Sequence, residues 1–466
     1  MDIYFSLLSI PAIITGATGT IFSSLLFPIF ARINQVQLDQ YIYKIKTYVH
    51  RIALAIAIIG FIFTYSSLES IIDSDEQYYY NLAIILCFLF WLNSYISIVN
   101  GYLASVQNYF KNFLVVSFSQ LLVYLSIIAF VIALHESIGV CSIAIGLIFA
   151  SILSLIINRY YGDIFHRSEV KIDIDARLLI SNICLILISF LPFHAFASIA
   201  YIWAGQLEDT GCVSLLGYSH SFCGFLSTAV SMGIATVSFP DLAKSLSSSD
   251  ATTLHKGFVN FRNQLEIILI FASCVAVFVS LFVHPIIEIL FMRGKFDINA
   301  VDGLSSVLPI YLIDGVFIAM MNMTRNVYYS LNKHTLFAII SGIVTFVFLL
   351  STFLFNDTVN YIVIGIVETI SMGGFLIISL FYINSLVKIF DFLYVLKIIG
   401  ELVLILVAGW LMLLIYREIV SLNINKIFPI AICGVTYLIL VDILLSTLIK
   451  NPTVITINKK ILDLLK

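Results

Sequence analysis

The sequence predicts an all-α polytopic membrane protein with about thirteen transmembrane helices. Hydrophobic residues make up 61% of the 466-residue chain and charged residues only 11%, and the mean hydropathy is +1.06. A soluble domain carries about 25% charged residues, so this chain has too little polar surface to cover itself in water. Its apolar runs are about 20 residues long, which suits membrane helices, and they lack the alternating polarity of barrel strands.

The apolar runs define the predicted spans in chain order. Runs longer than about 25 residues predict helices that tilt or extend into the membrane interface. The connections are too short to hold a nucleotide-hydrolysing domain. The predicted spans are 3–31, 49–67, 79–104, 112–134, 138–158, 176–204, 211–240, 265–290, 305–330, 335–355, 359–383, 393–415 and 426–449.

The basic residues predict the orientation of these spans. If the loop after the first span is cytoplasmic, twenty of the 24 Lys and Arg residues fall on the cytoplasmic side. The remaining four are Arg293, Lys295, Arg417 and Lys426. This bias is the positive-inside rule, and it predicts an outside N-terminus and a cytoplasmic C-terminus. The net charge of −3 without a basic tail gives no indication of a nucleic-acid partner.

The residue pattern predicts neither an enzyme nor a cofactor or metal site. The seven cysteines form no CxxC pair and mostly lie inside apolar runs, which indicates small core residues. The Gly-Ala-Thr-Gly-Thr stretch at 16–20 lacks the lysine of a phosphate-binding loop. Any transport is therefore expected to depend on an ion gradient, the membrane potential or the substrate's own gradient.

Two pairs of similar segments indicate an internal duplication. Phe-Pro-Ile-Phe-Ala at 27–31 matches Phe-Pro-Asp-Leu-Ala at 239–243, and the segment 105–108 matches 330–333. Both pairs lie six spans apart, which predicts parallel repeats around an axis along the membrane normal. Span six then has no N-terminal partner, so we expect the first helix of the first lobe to be missing from this sequence. The predicted lobes are 1–158 with five helices and 176–383 with six, followed by two extra helices in 393–449 and a cytoplasmic tail in 450–466.

Several collinear segments together are typical of one protein family. They are DIYF, IP and FPIFA within 2–31, YSH and GIATVSFPDLA within 218–243, FMRGKFD at 291–297 and YYSLNKHT at 328–335. In this order they resemble the MurJ/MviN lipid II flippases of the MOP exporter superfamily. The resemblance implies a two-lobe helical bundle that rocks around a central cavity. It also implies a flippase in the bacterial inner membrane that moves a polyprenyl-pyrophosphate-linked saccharide by alternating access. We expect a monomer whose partners are this substrate, membrane lipids and a coupling cation or proton.

The resemblance also locates a candidate substrate cavity. Arginines of the family hold the pyrophosphate, but an Arg pair of the family falls at Thr15-Gly16 here and its Asp-Arg pair at His220-Ser221. Hydroxyl, phenol and imidazole groups would then have to supply the hydrogen bonds. The cavity candidates are Thr15, Thr18, Thr20, Ser23, Ser24, His194, Tyr218, His220 and Ser221. The alternative for each is packing or a hydrogen bond between helices.

Two acidic residues inside predicted spans are candidates for ion coupling. Asp314 lies in the ninth span and Glu368 near the middle of the eleventh. Ionisable groups within a membrane are costly, so they indicate function by default. The alternative is a carboxylate that is hydrogen-bonded between helices. Two other functions stay open on the same fold: an ion-coupled exporter of small molecules and a membrane scaffold that transports nothing.

The charge bias makes the topology testable. The loop 67–78, with its acidic residues, is predicted outside and the tail after 449 inside. Single cysteines placed at Ser74 and at Thr456, in a chain without native cysteines, should react differently with a membrane-impermeant maleimide. Ser74→Cys should label in intact cells and Thr456→Cys only after permeabilisation. Labelling of both from the same side would contradict the thirteen-span count.

Overall fold

The computed structural model describes most of the predicted helices and confirms an all-α membrane protein. The described residues are 4–8, 35–68, 77–110, 112–162, 188–189, 191–207, 211–246, 250–294, 296–331, 333–354, 360–420 and 427–447, together with the single positions 11, 12, 15, 22 and 26. The helices are α1 Gln35–Ser66, α2 Gln77–Tyr109, α3 Phe113–Ile138, α4 Cys141–Gly162, α5 Leu191–Ala204, α6 Cys212–Leu246, α7 Ala251–Leu281, α8 Val283–Phe291, α9 Ile298–Ser330, α10 His334–Leu354, α11 Tyr361–Leu386, α12 Phe392–Val420 and α13 Ile427–Thr447.

Ten of these helices are long and apolar enough to cross a membrane. They are α1 to α4, α7 and α9 to α13, and each overlaps a predicted span. The seventh predicted span corresponds to α6, which is 35 residues long. The first predicted span, 3–31, lies largely outside the described residues, and the sixth, 176–204, is described in its second half, where it contains α5. In the part of the chain that is described, hydropathy therefore located the membrane helices correctly.

The predicted span 265–290 differs from the structure at its start and in its continuity. The helix α7 already begins at Ala251, because Asp250 accepts hydrogen bonds from the backbone N–H groups of Thr252 and Thr253. Hydrogen bonds from the two threonine hydroxyls, together with these backbone contacts, hold the pKa of Asp250 well below its usual range. The chain then breaks at Phe282, and α8 follows with Pro285 in its first turn. Proline has no N–H to continue the preceding helix, so one predicted span becomes two helices.

The chain divides into two compact units, Met1–Ser214 and Leu215–Lys466. The predicted lobe boundaries at 158 and 176 remain predictions. In the second unit α9 packs against α7 and α11, and α12 and α13 pack against α7 and each other. The contact between α7 and α12 includes an ion pair, in which Lys397 Nζ lies 2.7 Å from Glu266 Oε1 and 3.5 Å from Glu401 Oε1.

A seam of polar side chains joins α2 to α4 in the first unit. Asn93, Asn100 and Gln107 lie seven residues apart along α2 and so share one face. Ser151 Oγ donates to Asn93 Oδ1 over 2.7 Å, and Asn158 Nδ2 donates to Asn100 Oδ1 over 2.7 Å. Gln107 Nε2 donates to the backbone carbonyl of Asn158 over 3.2 Å. Hydrogen bonds of this kind hold membrane helices together where lipid and protein are equally apolar.

The contact between α1 and α2 gives a stability prediction. A Cβ atom at Gly60 would lie 2.0 to 2.4 Å from three ring carbons of Trp91, whose Nε1 donates to Thr64 Oγ1 over 3.0 Å. Gly60→Ala should therefore displace the indole, lose this hydrogen bond and cost about 1–3 kcal/mol, as overpacking does. Thermal unfolding in detergent should show the loss. Gly374→Ala is the matched control, because a Cβ there meets nothing within 4 Å; equal melting temperatures for the two variants would contradict the packing.

Candidate functional site

Polar side chains from α6, α9 and α11 meet inside the second unit. We call His220, Cys223, Tyr311, Asp314 and Glu368 the buried cluster. The imidazole Nε2 of His220 lies 2.8 Å from Glu368 Oε1, and its Nδ1 lies 3.0 Å from the backbone carbonyl oxygen of Leu216. Both ring nitrogens thus face acceptors. An imidazole that donates from both nitrogens is protonated, so the geometry fits an imidazolium paired with an ionised Glu368.

Glu368 is fully hydrogen-bonded in this arrangement. Its second oxygen, Oε2, accepts from the Tyr311 hydroxyl over 2.8 Å. The Tyr311 ring also packs against the His220 ring, with centroids 4.5 Å apart. Glu368 is only 2% exposed and Tyr311 is fully buried. A buried carboxylate needs such partners on both oxygens to offset the loss of water.

Asp314 is the incompletely paired member of the buried cluster. It is 1% exposed, and its Oδ2 accepts from the Cys223 thiol over 3.6 Å. Its Oδ1 is buried and has no hydrogen-bond partner among the described residues. An unpaired buried oxygen costs about 1–3 kcal/mol, and more when the group is charged. This oxygen is therefore the position at which the cluster can accept a further ligand.

Helical spacing and small residues bring the buried cluster together. His220 and Cys223 are three residues apart on α6, and Tyr311 and Asp314 are three apart on α9, so each helix presents two groups on one face. A Cβ at Gly315 would lie 3.2 Å from the backbone oxygen of Cys223, so glycine lets α9 approach α6 closely. A glycine on α11 likewise allows that helix to approach α9 closely.

Room on the α11 side comes from Gly365, one turn before Glu368. A Cβ there would lie 2.9 Å from the Tyr311 ring. The absence of that Cβ leaves space for the phenol to reach Oε2 of Glu368. The two glycines thus determine which side chains can meet.

The structure unites some of the predicted site residues. It brings the cavity candidate His220 together with both ion-coupling candidates, Asp314 and Glu368. It places the Tyr218 ring instead near Phe291 and Phe296, with centroids 5.5 and 5.8 Å away.

The other cavity candidates make other contacts or lie outside the described residues. Ser221 is exposed, and its Oγ donates to the carbonyl of Gly217 over 2.9 Å. Thr15 Oγ1 donates to the carbonyl of Ala12 over 3.4 Å. His194 lies in α5, but its side chain is outside the described residues, as are Thr18, Thr20, Ser23 and Ser24.

Two members of the buried cluster, Tyr311 and Cys223, were not predicted from the sequence. Tyr311 and Cys223 are uncharged and common in membrane helices, so neither stands out alone. The available signal was spacing, because Tyr311 lies three residues before Asp314 and Cys223 three residues after His220. In the described residues no group of three or more His, Cys, Asp and Glu side chains is arranged to hold a metal ion.

A double-mutant cycle should reveal how strongly the pair of His220 and Glu368 is coupled. Removing one partner of a buried charge pair costs about 3–5 kcal/mol, because the other charge is left uncompensated. His220→Gln and Glu368→Gln should each be strongly destabilising, and the double variant should lose much less than their sum. Unfolding free energies in mixed micelles measure this coupling.

The exposed pair of His284 and Asp302 is the matched control for this cycle. Its Nε2 to Oδ1 distance is 3.0 Å, but the two side chains are 46% and 63% exposed. The same cycle there should give about 1 kcal/mol or less. Equal coupling in the two pairs would contradict a buried, charged contact between His220 and Glu368.

Comparisons with known proteins identify the family. The chain matches the family described as lipid II flippase MurJ over residues 2–432. A comparison with curated protein sequences gives no match. Among solved structures, a lipid II flippase MurJ in an inward closed conformation is 19% identical, with a TM-score of 0.73, and the similarity covers 96% of this chain and 93% of that chain.

Two further solved structures show how widely the fold is shared. A MOP superfamily transporter from Pyrococcus furiosus, described as having a binding pocket of reverse polarity, is 15% identical with a TM-score of 0.60, and the similarity covers 81% of this chain and 86% of that one. A MATE protein in complex with MaL6 is 15% identical with a TM-score of 0.61, covering 82% and 87%. These similarities confirm the predicted MOP-type fold. The match over nearly the whole length shows more: this multi-pass membrane protein belongs to the lipid II flippase MurJ family, which consists of transporters for a peptidoglycan precursor and not of enzymes.

Proposed function

We propose that the chain is a flippase that moves a polyprenyl-pyrophosphate-linked saccharide across the bacterial inner membrane by alternating access. The observation that carries the proposal is the family match over residues 2–432. The positive-inside bias supports a cytoplasmic C-terminus. The chain acts as a monomer, and the lipid tail of the substrate stays in the bilayer while the head group crosses.

The physical problem of such a flippase is the charge of the head group. Moving an ionised group from water into an apolar medium costs many kcal/mol, so the head group needs a polar path through the protein. The two compact units, Met1–Ser214 and Leu215–Lys466, are each held together by internal polar contacts. Such units suit a mechanism in which rigid bodies rock around a fixed site.

His220 and Ser221, which stand at the positions of the family's Asp-Arg pair, favour weak binding of the pyrophosphate. His220 is engaged by Glu368 and Leu216, and Ser221 donates to Gly217. Neither position supplies an arginine, and neutral hydrogen bonds are about half as strong as charge-assisted ones. We therefore expect the chain to hold its substrate less tightly than a relative with arginines at these positions.

A second candidate on the fold shared with the MATE structure is an ion-coupled exporter of small molecules, and the buried carboxyl groups of Asp314 and Glu368 favour it. The buried cluster would serve either substrate, because it lies entirely within Leu215–Lys466 and contains groups that can exchange a proton. A third candidate, a scaffold that transports nothing, predicts that no substrate crosses at all.

Reconstitution separates these functions. In proteoliposomes, the wild-type chain should expose a labelled undecaprenyl-pyrophosphate saccharide to an enzyme outside, at a rate above that of protein-free vesicles. Ser221→Arg should increase retention of this lipid by the purified protein, because it adds a charge-assisted donor. Ser221→Gln is the matched neutral control.

Three results would decide against the proposed substrate. Export of a small organic cation without flipping of the lipid would support the exporter. Movement of neither would support the scaffold. Equal retention by Ser221→Arg and Ser221→Gln would show that no pyrophosphate binds near this position.

A further inference from the structure

We propose that the buried cluster is the binding site of a proton that drives the transport cycle, with Asp314 as the acceptor and the pair of His220 and Glu368 as its charged neighbour. The cluster comprises His220, Cys223, Tyr311, Asp314 and Glu368. Its use for transport rests on the proposed function, whereas proton binding itself rests on the geometry of the second unit.

The balance of charges identifies the acceptor. His220 faces acceptors with both ring nitrogens, and both oxygens of Glu368 accept hydrogen bonds, so this pair is complete as imidazolium and carboxylate. Together the two groups are neutral. An ionised Asp314 beside them would leave one uncompensated negative charge at a position that is 1% exposed. A proton on Asp314 makes the whole cluster neutral, and the unpaired Oδ1 is the atom that can take it.

The surrounding atoms fit a proton better than a metal ion. The groups that contact the two carboxylates are an imidazole N–H, a phenol O–H and a thiol S–H, all of which donate. Hard cations need several oxygen lone pairs directed at them. In the part of the chain that is described, no metal-binding arrangement of His, Cys, Asp and Glu side chains occurs.

Among the described side chains of α7 to α11, the charged groups named here pair elsewhere or lie far from Asp314. On α9 itself, Asp302 and Arg325 are each about three helical turns from Asp314. On α7, Glu266 binds Lys397 of α12, and on α8 His284 pairs with Asp302. The charged residue of α10 is His334, at its first position, and that of α11 is Glu368 itself.

Proton binding would be linked to the packing of three helices. The bond between His220 and Glu368 joins α6 to α11, and that from Tyr311 joins α9 to α11. The thiol contact of Asp314 joins α9 to α6 beside Gly315, where the two backbones approach closely. A change of charge on Asp314 therefore acts directly on the contact between α6 and α9. A ligand that binds one helix arrangement better shifts the population toward it.

Infrared difference spectroscopy of the purified full-length protein tests proton binding without any transport. Between alkaline and acidic buffer, the wild-type protein should gain the carbonyl band of one protonated carboxylic acid. Asp314→Asn should lose this band. Cys223→Ser should keep it but shift its position, because a hydroxyl donates a stronger hydrogen bond than a thiol. Asp442→Asn, which removes a carboxylate from α13 outside the buried cluster, should leave it unchanged.

Proteoliposomes then test whether proton binding is coupled to movement of the lipid. For one coupled proton, each pH unit across the membrane should change the steady-state distribution of the flipped lipid by up to about tenfold. Asp314→Asn should abolish this dependence, and Asp442→Asn should retain it. A distribution that follows a sodium gradient instead of the pH gradient would overturn the proton site.

The two measurements separate the failure of each proposal. A missing band in the wild-type protein, or a band that persists unchanged in Asp314→Asn, would overturn the proton site whatever the protein transports. The expected bands without any movement of the lipid would uphold the proton site and reject the lipid-linked substrate.

Discussion

The second unit depends on keeping charge balanced where water cannot reach. Glu368 and Asp314 are 2% and 1% exposed, and neither could persist in an apolar bundle without partners, since an isolated buried charge costs far more than a fold can supply. Glu368 meets this constraint with His220 and Tyr311, whereas Asp314 meets it only in part, through a thiol. The same constraint explains Gly315 and Gly365, because a larger residue at either position would push apart helices that carry the balancing groups.

Polar contacts also organise the rest of the molecule. Lipid tails are as apolar as leucine, so burial alone gives membrane helices little reason to associate. In the first unit the seam of Asn93, Asn100 and Gln107 supplies the specific contacts between α2 and α4. In the second unit the ion pair of Lys397 and Glu266 holds α12 on α7. Each of these contacts joins a donor on one helix to an acceptor on its neighbour, as the pair of His220 and Glu368 does.

The sequence predicted the helices well and the site only in fragments. Hydropathy found the membrane spans because each is a local run, but it missed the start of α7 at a capping Asp250 and its break at Phe282, which depend on single side chains. Asp314 and Glu368 were singled out because ionisable residues are rare in a membrane, and His220 because it stands at a position of the family's Asp-Arg pair. Their meeting could not be foreseen, since the contacts join residues 148, 91 and 57 positions apart. That His220 binds phosphate stays a prediction; in the structure its ring contacts Glu368 and Leu216.

The protein is proposed to flip a lipid-linked saccharide by means of the buried cluster, and the most direct test of this is made in living cells. In a bacterium whose own lipid II flippase can be switched off, the quantity to measure is the fraction of lipid II exposed at the outer face of the inner membrane. Expression of this chain should restore that fraction, and Asp314→Asn at the same protein level should not. Failure of the wild-type chain to expose lipid II would contradict the proposed flippase, and full restoration by Asp314→Asn would contradict a role of the buried cluster in transport.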